Sequence, residues 1–183
     1  MGRIERVLLV LVALFALEAF SSPSVHAQTG DSDQSIVAGQ RVGTAYVGMS
    51  VAALLQILGE PTRRIGSARP TYVWTYPGGE IIVAVASNRV WSVGIGWASG
   101  YTGTQLYATA SGLTVGASLL DVDAQLGKPN AVWSGRQSAI RCYNSGIAIG
   151  YFKSGSWSGR VFQIMVFHPV AFKSVNACAS IWR

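Results

Sequence analysis

The sequence predicts an α+β protein of two tandem repeats, each a short capped helix, or helix pair, packed on a three- or four-stranded antiparallel sheet. Residues 116–129 (GASLLDVDAQLGKP) repeat the pattern of residues 48–61 (GMSVAALLQILGEP) at a constant offset of 68. After each copy come alternating apolar segments separated by turns that contain Gly or Asn, which is typical of antiparallel strands. Together, the repeat and the alternation indicate two equivalent halves.

Each copy of the repeat encodes both ends of a helix. A Ser can accept a hydrogen bond from an unpaired backbone N–H at the start, a Gly ends the helix and a Pro follows it. The motif residues are Gly48, Ser50, Gly59 and Pro61 in the first copy and Gly116, Ser118, Gly127 and Pro129 in the second. The apolar residues that follow helical spacing, and so should face a core, are Val51, Leu54, Leu55 and Leu58, then Leu119, Val122 and Leu126.

Strands are predicted after each helix. In the first half they are residues 71–76 (TYVWTY), 80–86 (EIIVAVA) and 89–97 (RVWSVGIGW). In the second half, residues 143–146 align with the turn at 76–79, and residues 147–152 and 160–167 align with the later strands. The predicted equivalent pairs include Arg89 with Arg160 and Trp91 with Phe162. In the third strand, Trp91, Val93, Ile95 and Trp97 should share one face.

The N-terminus is typical of a secretory signal peptide, residues 1–27. Arg3 and Arg6 precede an apolar run of about 11 residues, too short for a membrane span, and Val25-His26-Ala27 forms a cleavage site. An uncleaved anchor is the alternative, and Glu18 argues against it. Residues 28–40 should be a disordered leader, 41–99 the first repeat, and 100–183 a linker, the second repeat and a C-terminal tail. We therefore expect an exported protein, periplasmic or secreted, with no stable membrane span after cleavage.

The chain is basic, with a formal net charge of +6. Apart from a cluster at Arg63, Arg64 and Arg69, the cations are scattered, which is typical of a solvated surface and also compatible with acidic partners or anionic lipid headgroups. Export, and the lack of a basic stripe with interleaved aromatics, argue against nucleic acid.

Cys142 and Cys178 are the only cysteines, and both belong to the exported part. Oxidising compartments favour disulfides, so we expect one bond between them that ties the tail to a strand of the second repeat. The alternative is two unpaired, buried thiols.

The sequence offers few candidate catalytic residues, so we expect a protein that is not an enzyme and that binds no metal and no cofactor. His168 is the only histidine after the signal peptide, and the two helix carboxylates Asp121 and Asp123 point to different faces. Motifs for phosphate loops, zinc proteases and serine hydrolases are missing from the sequence.

The pattern G-x-S-x3-[LV]-x3-L-G-x-P, followed by a Y-x-x-G turn and an R-V-x-x-[VI]-x-[IV] strand, resembles the tandem domains of the β-lactamase inhibitory protein family. It is equally similar to the small lipoprotein domain of the outer-membrane β-barrel assembly machinery, although this chain has no lipobox Cys for such a tether. The resemblance implies a protein that binds a protein partner through a concave, aromatic-rich sheet face. Candidates for that face are Tyr72, Trp74, Tyr76, Trp97, Tyr143 and Tyr151.

Two alternatives stay open for those aromatics. The Tyr and Trp rows could instead pack against the helices as core. Exposed rings could also stack on sugars, which would make the chain a cell-wall glycan-binding module. A structural envelope protein without inhibitory activity is a third reading of the same chain.

Overall fold

The structure, a computed structural model, confirms the α+β class. It describes residues 33–66, 70–76, 79–97 and 106–169, with the side chain of Tyr76 excluded. The described residues belong to a single compact unit. The predicted signal peptide, residues 98–105 of the linker region and the tail from residue 170 lie outside them.

The described part contains two helices and twelve strands. The helices are α1 (Val51–Leu58) and α2 (Leu119–Leu126). The strands are β1 (Ser35–Val37), β2 (Arg41–Val42), β3 (Ala45–Tyr46), β4 (Arg63–Ile65), β5 (Thr71–Tyr76), β6 (Gly79–Ala86), β7 (Arg89–Gly96), β8 (Ala108–Thr109), β9 (Ala131–Ser134), β10 (Ser138–Tyr143), β11 (Ile147–Phe152) and β12 (Val161–Phe167).

Eight of these strands form one antiparallel sheet in the order β4-β5-β6-β7-β12-β11-β10-β9. Each half contributes four adjacent strands in the same sequence order, and each half is preceded by its helix. The halves meet where β7 pairs with β12, with Ile95 opposite Ile164 and Val93 opposite Val166. The two predicted sheets are therefore continuous, and the short edge strands β4 and β9 complete four strands in each half.

Both helices have the predicted caps. The Ser50 hydroxyl accepts a hydrogen bond from the Ala53 N–H, and the Ser118 hydroxyl accepts one from the Asp121 N–H, each at 3.2 Å. In α2 the Asp121 carboxylate also accepts from the Ser118 N–H, which completes a capping box. Gly59 ends α1 at φ +72°, a left-handed conformation that glycine adopts without strain.

The main core lies between the helices and one face of the large sheet. Leu54 and Val122 are fully buried on the inner faces of α1 and α2, against central-strand residues such as Val83, Ile149 and Ile164. The rest of each predicted apolar stripe is buried or packed at the margin of this cluster. The helical period in the sequence therefore identified the buried faces correctly.

The prediction that residues 28–40 form a disordered leader is wrong for residues 33–40, the part that the structure describes. Strand β1 lies within it, pairing antiparallel with β2 and parallel with β8. Ile36 at its centre is only 3% exposed. The sequence gave little sign of this strand because its partner β8 lies about seventy residues away, and tertiary pairing rather than local pattern orders it.

The predicted phase of the third strand is wrong at Trp91. A β-bulge shifts the β6–β7 register after Ala84, and a matching bulge shifts β11–β12 after Gly150. Because a bulge inserts one extra residue, Val90 points into the core and Trp91 is 42% exposed. Phe162 occupies the equivalent position in β12, so the two halves share even this irregularity.

Candidate interaction surface

Two of the six predicted contact residues are core residues. Trp74 and Tyr143 are 3% and 4% exposed and lie in the cluster beneath the helices. The Trp74 indole N–H donates to the Gly59 carbonyl at the end of α1, at 3.2 Å. Their assignment to a partner-binding face is therefore wrong, because in-phase rings on this face pack against the helices.

Tyr72 and Tyr151 are partly buried, each beneath a guanidinium group. Arg64 lies 5.3 Å from the Tyr72 ring centroid, and Arg141 lies 5.4 Å from that of Tyr151. Such cation–π contacts orient the rings. The side chain of Tyr76 lies outside the described residues. Among the five predicted aromatics that are described, no continuous exposed face forms, and only Trp97 joins a surface cluster.

The Arg141 cluster lies at the edge of the second-half core. Arg141 forms an ion pair with Asp123 of α2, which links the helix to β10. Burial opposes the charge of Arg141, but Asp123 and the phenol oxygens of Tyr151 and Tyr143 outweigh it and raise its pKa. Burial is also the main reason why the pKa of Tyr143 is raised. These groups fasten α2 to the sheet.

Trp97 lies where the two halves meet, directly after β7. Its backbone N–H donates to the Phe162 carbonyl at 3.0 Å, so it is tied to the start of β12. Its ring meets that of Trp157 edge to face, with centroids 4.3 Å apart. Trp157 is 50% exposed, in the connection between β11 and β12. The boundary between the two halves therefore carries the indole of Trp157, which Trp97 supports and which is still accessible to solvent.

Two further rings, at the end of β11 and the start of β12, form a second pair. Phe152 ends β11, Phe162 occupies the bulge of β12, and their centroids are 4.8 Å apart. Both are partly buried. We call Trp97 and Trp157, whose rings are in contact, the aromatic junction. Its rings come from both halves of the sheet, and its most exposed member is Trp157.

The loop that carries Trp157 has no equivalent in the first half. Strands β6 and β7 are joined by a tight two-residue turn, Ser87 and Asn88, both at positive φ. Strands β11 and β12 are joined by residues 153–160. This loop is held closed by bonds from the Gly159 N–H to the Phe152 carbonyl, 2.8 Å, and from the Ser158 hydroxyl to the Lys153 carbonyl, 3.0 Å.

Sequence reasoning missed Trp157 because the loop KSGSWSG has no periodicity and reads as a plain connection. A large aromatic among Ser and Gly residues was the available sign, since such a ring has few neighbours on its own segment to pack against. Phe152 and Phe162 were recognised only as strand positions.

The shared Arg-Val motif has a structural role. Arg89 donates to the Gly48 carbonyl at 2.9 Å, and Arg160 donates to the Gly116 carbonyl at 3.2 Å. Each arginine therefore pins the loop before its helix to the last strand of its half. The bridges Ser50 with Arg89 and Ser118 with Arg160 repeat the same geometry.

The other predicted site lies on the sheet face away from the helices. Cys142 is 2% exposed there, in a small cluster with Ile140, Met165 and Phe167. Cys178 lies outside the described residues, so the disulfide stays a prediction.

Within residues 33–66, 70–76, 79–97 and 106–169, no three His, Cys, Asp or Glu side chains are grouped to hold a metal ion. The same stretches contain no helix of the length and apolarity needed to cross a membrane.

Comparison with known proteins gives structural neighbours only. No family model and no curated protein matches the sequence. A cysteine-rich secretory protein from Staphylococcus aureus is similar at 15% identity and a TM-score of 0.47, covering 72% of this chain and 48% of that one. A DUF4309 family protein from Bacillus subtilis is similar at 13% identity and a TM-score of 0.46, covering 65% of this chain and 78% of that one.

A "putative beta-lactamase inhibitor protein" from Streptococcus mutans is similar at 15% identity, with a TM-score of 0.25, covering 67% of this chain and 83% of that one. This chain spans about half the length of the staphylococcal protein. At these identities and TM-scores we base no functional argument on the neighbours. The comparisons lend no support to the resemblance to the barrel-assembly lipoprotein domain.

Proposed function

We propose that this chain is an exported, non-catalytic module that binds a protein partner, and that the partner contacts the aromatic junction. Trp157 carries the proposal: half of its surface is exposed, although its ring is braced by Trp97 and its loop is closed by hydrogen bonds. A tryptophan that is already held in place loses little conformational entropy on binding. Interface hot spots are enriched in this residue for its large contact area.

The export part of the proposal rests on residues 1–27, and the non-catalytic part on how the carboxylates are used. Of the five carboxylates in the described ranges, four form ion pairs with arginines, and Asp121 caps α2. These groups are engaged in holding strands and helices together. The cell envelope or the external medium is the compartment in which we expect the partner.

The test is differential capture followed by reconstitution. The mature chain, residues 28–183, is immobilised and exposed to envelope and culture fractions, and retained proteins are identified and purified. Binding of each purified candidate is then measured by calorimetry. We expect Trp157→Ala to weaken binding at least tenfold, since truncating a hot-spot residue costs about 2 kcal/mol or more.

Trp91→Ala is the matched control. It removes the same side chain at a similar exposure, 42%, from the early part of β7, whereas Trp157 lies beyond the other end of that strand. Equal losses from both variants would contradict the proposed location. Retention of full affinity by Trp157→Ala would contradict the proposal itself.

Glycan binding remains the second candidate, because an exposed indole can also stack on a sugar ring. Co-sedimentation of the mature chain with peptidoglycan, lost in Trp157→Ala but kept in Trp91→Ala, would assign the junction to glycan instead of protein.

We also propose the Cys142–Cys178 disulfide. Under the chain-entropy account, closing a loop of about 35 residues stabilises the fold by roughly 3–4 kcal/mol. Intact mass after alkylation without reductant should show no modified thiol, and two modified thiols would contradict the bond.

A further inference from the structure

We propose that the aromatic junction selects an acidic segment of its protein partner, in which carboxylates flank an apolar residue that packs on Trp157. This inference rests on the proposed function and narrows it to a partner chemistry. It comes from the distribution of charge around the junction.

The charges of the described residues are unevenly compensated. Arg41, Arg63, Arg64 and Arg141 each have a carboxylate partner, and these four pairs use every described carboxylate except Asp121. The cations with no carboxylate within ion-pair distance among the described residues are Arg89, Lys128, Arg136, Lys153 and Arg160. Three of these five belong to the loop of Trp157 or to the turn beside it.

Lys153 and Arg160 bound the Trp157 loop, and both are exposed. The Lys153 ammonium donates to the Ser134 hydroxyl at 2.8 Å and to the Gly135 carbonyl at 2.9 Å. This leaves one of its three N–H donors for another acceptor. The Arg160 charge is partly offset by Asp121, whose pKa it helps to lower after the stronger bonds from Ser118.

Arg136 lies in the turn between β9 and β10, exposed and next to the carbonyl that Lys153 binds. The backbone N–H of Lys153 also donates to the Gln137 carbonyl at 2.8 Å, so this turn and the Trp157 loop are joined. Residues 135–137 and 153–160 contain no acidic residue. Neither the Trp157 loop nor this turn therefore supplies a carboxylate to its own cations, and of the three only Arg160 is partly offset, by Asp121.

An exposed indole on a loop that also carries a positioned ammonium, and that is bonded to a turn with an exposed guanidinium, matches an acidic peptide segment. Carboxylates accept the remaining donors, and an apolar residue between them buries the indole face. Since these cations are exposed, their attraction is screened by salt over about 10 Å at 0.1 M. The interaction should therefore weaken as salt is added.

The probe is a synthetic peptide with Phe between two pairs of Glu, compared with the same peptide carrying Gln in place of Glu. Binding is followed by the indole ¹H–¹⁵N resonances of the mature chain, with Trp157 assigned from the Trp157→Phe spectrum. We expect the Glu peptide to shift the Trp157 and Trp97 signals and the Gln peptide to leave them in place. Raising NaCl from about 0.05 M to about 0.3 M should reverse the shift.

The charge contribution is tested with Arg136→Gln and Lys153→Gln together. Exposed ion pairs contribute about 0.2–1 kcal/mol each, so the double variant should bind the Glu peptide roughly two- to thirtyfold more weakly. Arg136→Gln alone, which breaks no side-chain hydrogen bond among the described residues, should show part of this loss. Arg89→Gln, which neutralises a cation at the opposite end of β7, should bind normally.

The inference is overturned if both peptides bind equally, if Arg89→Gln weakens binding as much as the double variant, or if neither peptide shifts Trp157. It is also overturned if anionic phospholipid vesicles shift Trp157 and the Glu peptide does not. Failure of this inference is distinct from failure of the proposed function. If a purified partner needs Trp157 for binding but binds the double variant normally, the preference for an acidic segment is contradicted and the proposed binding function is not.

Discussion

Replacing Trp74 tests whether this tryptophan belongs to the core, as its burial indicates, or to a partner-binding surface, as the sequence predicts. In Trp74→Phe the hydrogen bond to the Gly59 carbonyl is lost, which costs about 0.5–1.5 kcal/mol. The smaller ring also leaves unfilled volume beneath α1, for roughly another 1–2 kcal/mol. We expect the free energy of unfolding to fall by about 1.5–3.5 kcal/mol in total.

Urea unfolding followed by far-UV circular dichroism measures this change without relying on tryptophan fluorescence. Trp157→Phe is the control, because a ring that is half exposed and keeps its aromatic neighbour should change stability by about 0.5 kcal/mol or less. Folded Trp74→Phe should still bind the partner normally. A Trp74→Phe protein that is as stable as the parent, or that is folded but has lost binding, would refute the assignment of Trp74 to the core.

Three other variants probe the fold. Gly146→Ala should destabilise by about 3 kcal/mol or more, because its Cβ would lie 2.5 Å from the Phe167 carbonyl oxygen, whereas Gly155→Ala, at a similar positive φ but in open space, should cost about 1–2 kcal/mol; equal urea midpoints would contradict this. Arg160→Met should cost about 0.5–1 kcal/mol in the same assay, and no change would show that its bond to the Gly116 carbonyl is idle. Asp121→Asn should make the melting temperature fall less steeply as pH is lowered, that is, flatten the acid limb of a plot of melting temperature against pH. Bonds from Ser118 lower the pKa of Asp121, so its stabilisation is complete above the unfolded-state pKa, near 3.8, and disappears as pH falls through the lower folded-state pKa; an unchanged limb would contradict this.

The capped helices were predictable because their instructions are local. A Ser that accepts a bond three residues on, a Gly at positive φ and a Pro beyond it act within a single turn of chain. Burial of Leu54 and Val122 followed from helical spacing alone. The longer strands β5, β6, β7, β11 and β12 were predictable for the same reason, since alternation is read within six to eight residues.

The aromatic face was not predictable in this way. Alternation shows that Tyr72 and Trp74 share a side of β5, but it does not show which side the helix covers. Trp91 was misplaced because a bulge is a two-strand feature, set by how β6 and β7 pair. The junction was hidden because Trp97 and Trp157 belong to different halves of the chain and meet only when β7 pairs with β12.

By itself, the sequence determined the repeated unit of helix and meander, the ends of both helices, their buried faces and the expectation of export. Each of these depends on neighbours a few residues apart or on a pattern that repeats. Only the tertiary structure decided that the halves form one sheet, that Trp74 and Tyr143 are buried, and that Trp157 is exposed beside Trp97. Those outcomes depend on long-range strand pairing, which brings together residues that no local pattern relates.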